Sequence, residues 1–324
     1  MFHPLQLRHN TIDTPLFMAP VAGVCNIPFR VIAREQGCPN IFTEMVSSEA
    51  LSRHIPKTVE FLRVGAEERL RPFVQLFGAN PATMAQSARI CTEEGFTLID
   101  INMGCPVKKV VRSGSGVELM QHPQLAGEIV SQMVAAAGAC ADITVKTRLG
   151  LIHGDELLPE LALQVQQAGA SMLTVHARTR SDGFGGQARW HEVAPIKSLL
   201  HIPLIINGDI TDYPSACLAM EQSRADGAMI AREGYTRPWI FREILSQVRG
   251  QATCEPTPRQ IREILLRHLD LLCQYMPERA HILMRKHGSW YSKGTPGSSE
   301  FRQALNSCTD SAQVRSLIST FAAS

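Results

Sequence analysis

The stretch TLIDINMGCP, residues 97–106, shows how this chain is built. Thr97 to Asn102 predict a short, mostly apolar strand, and the chain then runs into a polar loop that ends in Gly-Cys-Pro. A helical pattern follows and stops at Gly138, where a residue able to adopt positive φ closes the last turn. Strand, loop and helix in this order are typical of one parallel βα unit.

The same order recurs along the first 250 residues. Helical stretches that end at glycines such as Gly37, Gly95 and Gly169 separate the strands, and prolines such as Pro81, Pro214 and Pro238 mark helix starts. Eight strands are predicted: Leu16–Ala22, Ile41–Val46, Pro72–Phe77, Thr97–Asn102, Ile143–Arg148, Met172–His176, Leu204–Asn207 and Ala228–Ala231.

Eight βα units in about 250 residues favour a closed (β/α)8 barrel, a TIM barrel, over an open doubly wound sheet. A dinucleotide-binding sheet would need a Gly-x-Gly-x-x-Gly turn after the first strand, and Ala22-Gly23-Val24-Cys25 does not supply one. After Gly250 only helical patterns remain, at Arg259–Tyr275 and Ala280–Tyr291. The sequence therefore predicts an α/β protein with a barrel domain, residues 1–250, and a small all-helical domain, residues 251–324.

Composition narrows the class of protein. The 324 residues are 44% hydrophobic and 19% charged, and no apolar run approaches the roughly 18 residues of a membrane helix. The start of the chain does not resemble a signal peptide, so we expect a cytoplasmic protein with no membrane partner, and a monomer by default. Nine scattered cysteines without a Cys-x-x-Cys pair predict reduced thiols, with neither disulfides nor a metal site.

Charge says little about nucleic acid. The net charge is +2, and residues 251–324 carry nine basic and six acidic side chains. A difference this small is more typical of a solvated surface than of a phosphate-binding face.

Polar side chains collect at the predicted strand ends, where barrel enzymes place their active sites. The ends of the seventh and eighth strands often hold a phosphate, through backbone N–H groups and a nearby cation. Gly208 would allow a close approach there, and Arg232 could donate two hydrogen bonds. The polar residues are Gln75, Asn102, Lys146, Arg148, His176, Arg178, Asn207, Asp209 and Arg232.

Several motifs, in this order along the chain, resemble the tRNA-dihydrouridine synthase family. The resemblance extends over essentially the whole sequence, and the last motif is similar to the B-type branch in particular. The motifs are Ala19–Val24, Asp100–Lys109, Val145–Arg148, Val175–Thr179, Asn207–Ile210 and Arg285–Tyr291.

The resemblance implies a TIM-barrel enzyme that binds FMN, takes hydride from NADPH and reduces a uridine in the D-loop of tRNA. NADH is left open as the donor. The implied flavin-binding residues are Pro20, Val21, Ala22, Gln75, Lys146, His176, Asn207, Gly208, Asp209, Ala231 and Arg232. The implied substrate-binding residues are Asn102, Lys108, Lys109, Arg178, Arg285 and Lys286.

The reaction explains a cysteine at position 105. Hydride arriving at C6 of uracil leaves enolate character that must be protonated at C5. A thiol with a pKa of about 8.5 is mostly protonated at neutral pH, yet acidic enough to give up its proton. We therefore expect Cys105 to be the catalytic acid, and the other eight cysteines to be small hydrophobic residues.

Two departures from the family pattern and three alternatives remain. Val21 replaces the usual Met, and Ala231 replaces a Gly whose backbone would approach the phosphate.

A small-molecule flavin barrel of the dihydroorotate dehydrogenase type would not need the helical region after Gly250. A flavin-free lyase could use Lys146 as a Schiff-base amine. An RNA-binding module without catalysis would not need Cys105, Lys146 and His176.

Overall fold

The chain forms two compact units in the computed structural model, which describes residues 2–68 and 70–321. The first unit contains residues 2–25, 39–64 and 70–231. The second contains residues 26–38, 65–68 and 232–321. Both the first helix of the chain and the segment just after the last barrel strand therefore belong to the second unit.

The core of the first unit is a closed barrel of eight parallel strands, β3 to β10. Each strand pairs with the next, and β10 pairs with β3 to close the ring. The predicted TIM barrel is confirmed. The strands are Leu16–Met18 (β3), Asn40–Ser47 (β4), Phe73–Phe77 (β5), Leu98–Asn102 (β6), Asp142–Arg148 (β7), Met172–His176 (β8), Leu204–Asn207 (β9) and Gly227–Ile230 (β10).

Most strand predictions agree with these bounds to within one residue, but the first is too long. β3 ends at Met18, whereas the sequence pattern continues to Ala22. The chain turns there, since the N–H groups of Val24 and Cys25 both donate to the carbonyl of Val21 at 3.1 Å. Pro20 also lacks an N–H for the sheet. The apolar run continues into a loop at the mouth of the barrel.

The helices of the first unit follow the barrel strands, and several carry the predicted end signals. Asn80 caps α4 by accepting from Thr83 N at 3.1 Å, with Pro81 at the first helical position. Gly138 ends α6 with φ of 57°. The helices are Ser48–Ser52 (α2), Pro56–Val59 (α3), Pro81–Glu93 (α4), Lys108–Val111 (α5), Pro123–Ala137 (α6), Leu157–Gln167 (α7), Ala194–Leu199 (α8) and Tyr213–Ser223 (α9).

A short hairpin, Leu5–Gln6 (β1) and Thr11–Ile12 (β2), belongs to the same unit and was not predicted. Its turn is held by Asp142, the first residue of β7, whose carboxylate accepts from the backbone N–H groups of Arg8 and Asn10 at 3.1 and 2.9 Å. Asp142 is 1% exposed. This buried carboxylate therefore has a structural role at the N-terminal end of the barrel strands.

The second unit is helical. Its core joins Val31 and Ile32 of the first helix to Trp239 and to the long apolar faces of the C-terminal helices. No helix among residues 2–68 and 70–321 is long and apolar enough to cross a membrane. The helices are Ile27–Glu35 (α1), Arg232–Thr236 (α10), Ile240–Val248 (α11), Pro258–Tyr275 (α12), Ala280–Tyr291 (α13), Ser298–Ser307 (α14) and Ser311–Thr320 (α15).

The contacts within the second unit differ from the sequence-based division at Gly250. Sequence patterning assigns α1, α10 and α11 to the barrel because they follow its strands in the chain. All three helices belong to the second unit instead. Val31 and Ile32 of α1 are buried in its core, and Trp239, between α10 and α11, meets Tyr291 there at 6.0 Å between ring centroids. A βα alternation shows the order of elements but not the core into which a helix packs.

Two histidines lie at the centre of this helical core. His268 and His287 are fully buried, with ring centroids 4.3 Å apart. Nδ1 of His268 meets the hydroxyl of Tyr291 at 3.1 Å, whereas neither ring nitrogen of His287 has a partner in the part of the chain that the structure describes. Burial lowers the pKa of His268 to about 3 and holds that of His287 well below its usual range, and the positive charge of Lys286 adds to both effects.

We predict that this pair makes the protein sensitive to acid. Below about pH 6.5 both imidazoles bind a proton in the unfolded chain but stay neutral in the folded core. The free energy of unfolding therefore falls as the pH decreases toward 3. The variant His287→Phe should reduce the slope of the unfolding free energy by up to about 1.4 kcal/mol per pH unit between pH 6 and 4. Chemical denaturation at each pH measures the slope.

Tyr291→Phe is the matched control, because it removes the hydroxyl but keeps both imidazoles. It should retain the slope of the unchanged protein. Equal slopes for His287→Phe and the unchanged protein would contradict the assignment of the acid sensitivity to this histidine pair.

Candidate active site

The register of neighbouring strands places the polar side chains of the barrel mouth in layers. Gln75 of β5 lies beside Asp100 of β6, and Asp100 lies beside Thr144 of β7. Two residues further on, Asn102 lies beside Lys146. Side chains two residues apart on a strand share a face, so these groups point into the barrel together.

A chain of hydrogen bonds connects these layers to the loop after β6. Gln75 Nε2 donates to Asp100 Oδ2 at 2.7 Å, and Asn102 Nδ2 donates to Gln75 Oε1 at 2.8 Å. Asn102 Oδ1 then accepts from the backbone N–H groups of Gly104 and Cys105, at 3.2 and 2.8 Å. The backbone that carries the Cys105 thiol is therefore held from inside the barrel.

Arg148, at the end of β7, holds the same loop from the other side. Its Nε donates to the carbonyl of Gly104 at 2.8 Å, and its Nη1 donates to the carbonyls of Thr179 and Gly183, both at 2.9 Å. Arg148 thus ties the cysteine loop to the loop after β8. Sequence analysis identified it as a polar strand end but gave it no role.

Glycines allow the cysteine loop to pack closely. A Cβ at Gly104 would lie 3.2 Å from the backbone of Thr147, and one at Gly116 would lie 2.6 Å from the carbonyl oxygen of Cys105. Gly116 also has φ of 66°, which disfavours other residues. Its neighbour Ser115 is 1% exposed. The segment that follows Cys105 is therefore packed against it.

Burial dominates the electrostatics of this group. It raises the pKa of Asp100 to about 6, although the hydrogen bonds from Thr144 and Gln75 and the charge of Lys146 oppose the rise. It lowers the pKa of Lys146 to about 8, helped by Arg148 and opposed by Asp100 and Cys105. It also raises the pKa of the Cys105 thiol, against the opposing charges of Arg148 and Lys146. At neutral pH the thiol therefore keeps its proton.

A second cluster occupies the ends of β8 and β9. Arg178, 1% exposed, donates from Nη2 to both carboxylate oxygens of Asp209, at 2.8 and 2.6 Å, and from Nε to the carbonyl of Gly185 at 2.8 Å. Its Nη1 lies 3.3 Å from Nε2 of His176. A Cβ at Gly208 would meet Ala188 and His176 at 3.0 Å. Asn207 donates to the carbonyl of Met229 at 2.8 Å.

The loop after β3, with Pro20, Val21 and Ala22 at its start, is anchored by a buried thiol. The N–H of Val21 donates to Sγ of Cys25 at 3.3 Å, and the same thiol lies 3.5 Å from the carbonyl of Ala19. Sequence analysis treated Cys25 as one of eight ordinary buried cysteines. It is fully buried, and it also fixes the backbone of this loop.

The remaining predicted residues lie on other elements of the chain. Lys108 and Lys109 are exposed at the start of α5, just beyond Cys105. Arg285 and Lys286 are on α13 of the second unit, where Arg285 donates to the carbonyl of Cys308 at 2.8 Å. Ala231 is the last residue of the first unit, and the exposed Arg232 begins the last segment of the second unit.

A model of the Dihydrouridine synthase (Dus) family matches residues 17–323. The chain belongs to this family. Among the curated relatives, the probable tRNA-dihydrouridine synthase 1 of Synechocystis is 36% identical over 307 residues, which cover 93% of this chain and 84% of the relative. The tRNA-dihydrouridine synthase B of Escherichia coli is 35% identical over 300 residues, 92% of each chain.

Membership of the Dus family confirms the resemblance seen in the motifs. The barrel fold also has distant solved counterparts. Histamine dehydrogenase from Rhizobium sp. 4-9 superposes with a TM-score of 0.61 at 16% identity, covering 83% of this chain and 50% of that longer one. This likeness concerns the fold alone.

Within this Dus-family barrel, the structure brings together Gln75, Asn102, Cys105 and Lys146, all of which the motifs selected. It adds residues to which the motifs gave no role, among them Asp100, Thr144 and the aromatic ring of Phe184. Phe184 is 65% exposed, lies 5.5 Å from the Arg148 guanidinium and is stacked on His176 at 6.4 Å. An exposed aromatic side chain in a polar loop gives no distinctive signal in one sequence.

We predict that Cys105 is alkylated slowly at neutral pH. Only the thiolate reacts, and burial raises the thiol pKa, so the midpoint of its pH profile should lie above that of the same peptide in denaturant. Iodoacetamide labelling followed by peptide mass spectrometry measures both profiles. The exposed thiols of Cys140 and Cys254 report that the reagent is active in the folded sample. A midpoint in the folded protein below that of the denatured peptide would contradict a buried environment for the Cys105 thiol.

Proposed function

We propose that this protein is a tRNA-dihydrouridine synthase that uses FMN and NADPH to reduce the C5=C6 bond of a D-loop uridine. The observation that carries the proposal is the Cys105 thiol. It keeps its proton, lies at the mouth of a Dus-family barrel, and is held by a backbone that Asn102 fixes. NADH in place of NADPH stays open.

The charge at the barrel mouth fits a flavin. Lys146 has a depressed pKa of about 8, and among residues 2–68 and 70–321 its ammonium group makes no hydrogen bond or ion pair. A buried cation of this kind would be stabilised by an anionic partner, such as the reduced flavin ring. When bound, FMN would accept hydride from NADPH and supply it to C6 of the uracil.

By their motifs, other residues of the barrel mouth would hold the same cofactor. Gln75 has one amide N–H left after its bond to Asp100 and could donate it to the edge of the ring. The backbone of Pro20, Val21 and Ala22 would lie along the ring. The ribityl chain and phosphate are assigned to His176, Asn207, Gly208, Asp209, Ala231 and Arg232.

The protein groups then have distinct tasks. Asn102 would orient the uracil, and Cys105 would donate its proton to C5 as the hydride reaches C6. The raised pKa of the thiol keeps that proton available at neutral pH. The target base must leave its stack and enter the barrel mouth, and exposed Lys108 and Lys109 would contact the neighbouring phosphates. Arg285 and Lys286 are proposed to bind RNA in the second unit.

Arg178 is proposed to face the base, but its present contacts limit that role. Four of its five N–H groups are directed to Gly185, Gly186, Asp209 and His176. It could offer a uracil only the remaining N–H on Nη1, unless the loop at 183–186 moves.

The proposed function also places the protein in the cytoplasm, where tRNA is modified.

We predict that the purified, FMN-supplemented protein with NADPH adds two hydrogens to one D-loop uridine of unmodified tRNA. Mass spectrometry of RNA fragments measures the gain and maps the nucleotide. Cys105→Ala should bind FMN and oxidise NADPH normally while dihydrouridine formation falls at least about 100-fold, because general acid catalysis is worth that much.

Full dihydrouridine formation by Cys105→Ala would remove this residue from its role. A yellow protein that oxidises NADPH but leaves every tRNA unchanged would support a small-molecule flavin reductase instead.

We also predict that Lys109→Ala weakens tRNA binding and makes it less dependent on salt. Loss of one phosphate contact should lower the slope of log Kd against log salt concentration by about 1. Arg89→Ala, which removes an exposed cation from the outer helix α4, is the matched control and should leave the slope unchanged. Equal slopes for both variants would exclude Lys109 from the RNA interface.

A further inference from the structure

Asp100 stands at the inner end of the hydrogen-bond chain that reaches Cys105. Its Oδ2 accepts from Gln75, Gln75 accepts from Asn102, and Asn102 accepts from the N–H of Cys105. The three side chains are 0%, 2% and 8% exposed for Gln75, Asp100 and Asn102. A buried carboxylate with no role in the motif-based assignment is thus connected to the backbone of the proposed acid.

The polarity of this chain is fixed from both ends. A side-chain amide can present either its oxygen or its NH2 group in a given direction, so two amides in series could run either way. An ionised carboxylate only accepts hydrogen bonds, and the N–H of Cys105 only donates. Turning the amides round would place an oxygen against Asp100 and an NH2 group against Cys105. Buried groups without partners make that arrangement unfavourable.

Asp100 can keep its charge in this position. Its second oxygen, Oδ1, accepts from the hydroxyl of Thr144 at 2.6 Å, and Lys146 supplies a positive charge nearby. The pKa of about 6 is raised by burial but remains below neutral pH. In return, the charge of Asp100 opposes the fall in the pKa of Lys146. The carboxylate is therefore mainly ionised at neutral pH.

We infer that Asp100 is a positioning residue for the proposed reaction: through Gln75 and Asn102 its carboxylate fixes the backbone of the Cys105 loop. Asp100 acts by setting the direction of two amides, so that Asn102 Oδ1 always faces the N–H groups of Gly104 and Cys105. The consequence for catalysis rests on the function proposed above. The consequence for the Cys105 loop does not.

The barrel provides a matched control for loss of a buried carboxylate. Asp142, on β7, is also almost fully buried, at 1% exposure, and accepts hydrogen bonds from the hairpin backbone and from Ser171 Oγ at 2.6 Å. It lies at the opposite end of the strands from Cys105. Asp142→Leu should therefore destabilise the barrel without affecting the cysteine loop.

The first experiment follows Cys105 alkylation against pH in full-length protein without tRNA. Asp100→Leu removes the acceptor and frees the Gln75 amide to turn, so Asn102 loses its fixed direction. The loop loosens and the thiol becomes more exposed. We expect the Cys105 alkylation rate at neutral pH to rise about 10-fold, with its midpoint moving to lower pH, since burial is what raises its pKa.

Asp100→Asn tests direction apart from charge. Its carbonyl can still accept from Gln75 when the Thr144 hydroxyl turns to accept from its NH2 group. The N–H of Cys105 still fixes the other end of the chain, so Cys105 alkylation should stay within about twofold of the unchanged protein. Asp142→Leu should also leave it within about twofold. A Leu variant at position 100 that alkylates like the unchanged protein, or a shift of equal size in Asp142→Leu, overturns the inference. Should Asp100→Leu fail to fold, Asp100→Ala carries the same expectation.

The second experiment measures single turnovers. With the flavin already reduced, Asp100→Leu should slow its reoxidation at saturating tRNA about 10-fold, because Asn102 and the Cys105 thiol are no longer held in position. An unchanged rate overturns the positioning role. If the unchanged protein itself fails to reduce tRNA, the proposed function fails, and the alkylation experiment still decides whether Asp100 holds the Cys105 loop.

Discussion

The register between β5, β6 and β7 is the constraint on which the site depends. Parallel pairing sets Gln75 beside Asp100, Asp100 beside Thr144, and Asn102 beside Lys146. A shift of one residue on any of these strands would turn its polar side chains out of the barrel and apolar ones in. Pairing of β10 with β3 closes the barrel, and the hairpin bound to Asp142 lies at the opposite end of β7 from the site.

The site buries charge, which is costly unless partners are present. Asp100 and Lys146 are not in direct contact, and their pKa values, about 6 and about 8, are both shifted toward the neutral form. Asp100 is compensated by two hydrogen bonds from the protein. Lys146 has no comparable partner among the described residues. This asymmetry supports a role for Asp100 in holding the protein and for Lys146 in holding a ligand.

The alternation of strands and helices was enough to predict the barrel, and β8 and β9 begin and end at the predicted residues. The first strand was extended too far because hydrophobicity alone does not reveal that the chain turns after Pro20. Likewise, the pattern could not show that α1, α10 and α11 belong to the helical unit. Packing of a helix is decided by its tertiary contacts, which a single sequence does not contain.

The site shows the same division between chemistry and geometry. Motifs selected Cys105, Asn102 and Lys146 because reactive and charged residue types are distinctive. Asp100 lies in one of the same motifs, but its role appears only when the register sets it beside Gln75. Arg178 was selected as a group that faces substrate, and the structure shows it bound to Asp209 and to the loop after β8.

These contacts give the two sides of the barrel mouth different characters. On the side of β5 to β7, neutral amides fix a backbone and leave the thiol and the ammonium group of Lys146 available for chemistry. On the side of β8 and β9, an ion pair between Arg178 and Asp209 holds a loop and leaves a single guanidinium N–H uncommitted. The first side therefore suits the proton donation proposed for Cys105, and the second holds the shape of the mouth. A ligand that needs more than this one N–H of Arg178 must displace the carbonyls of Gly185 and Gly186, so fuller access to the guanidinium is coupled to movement of the loop.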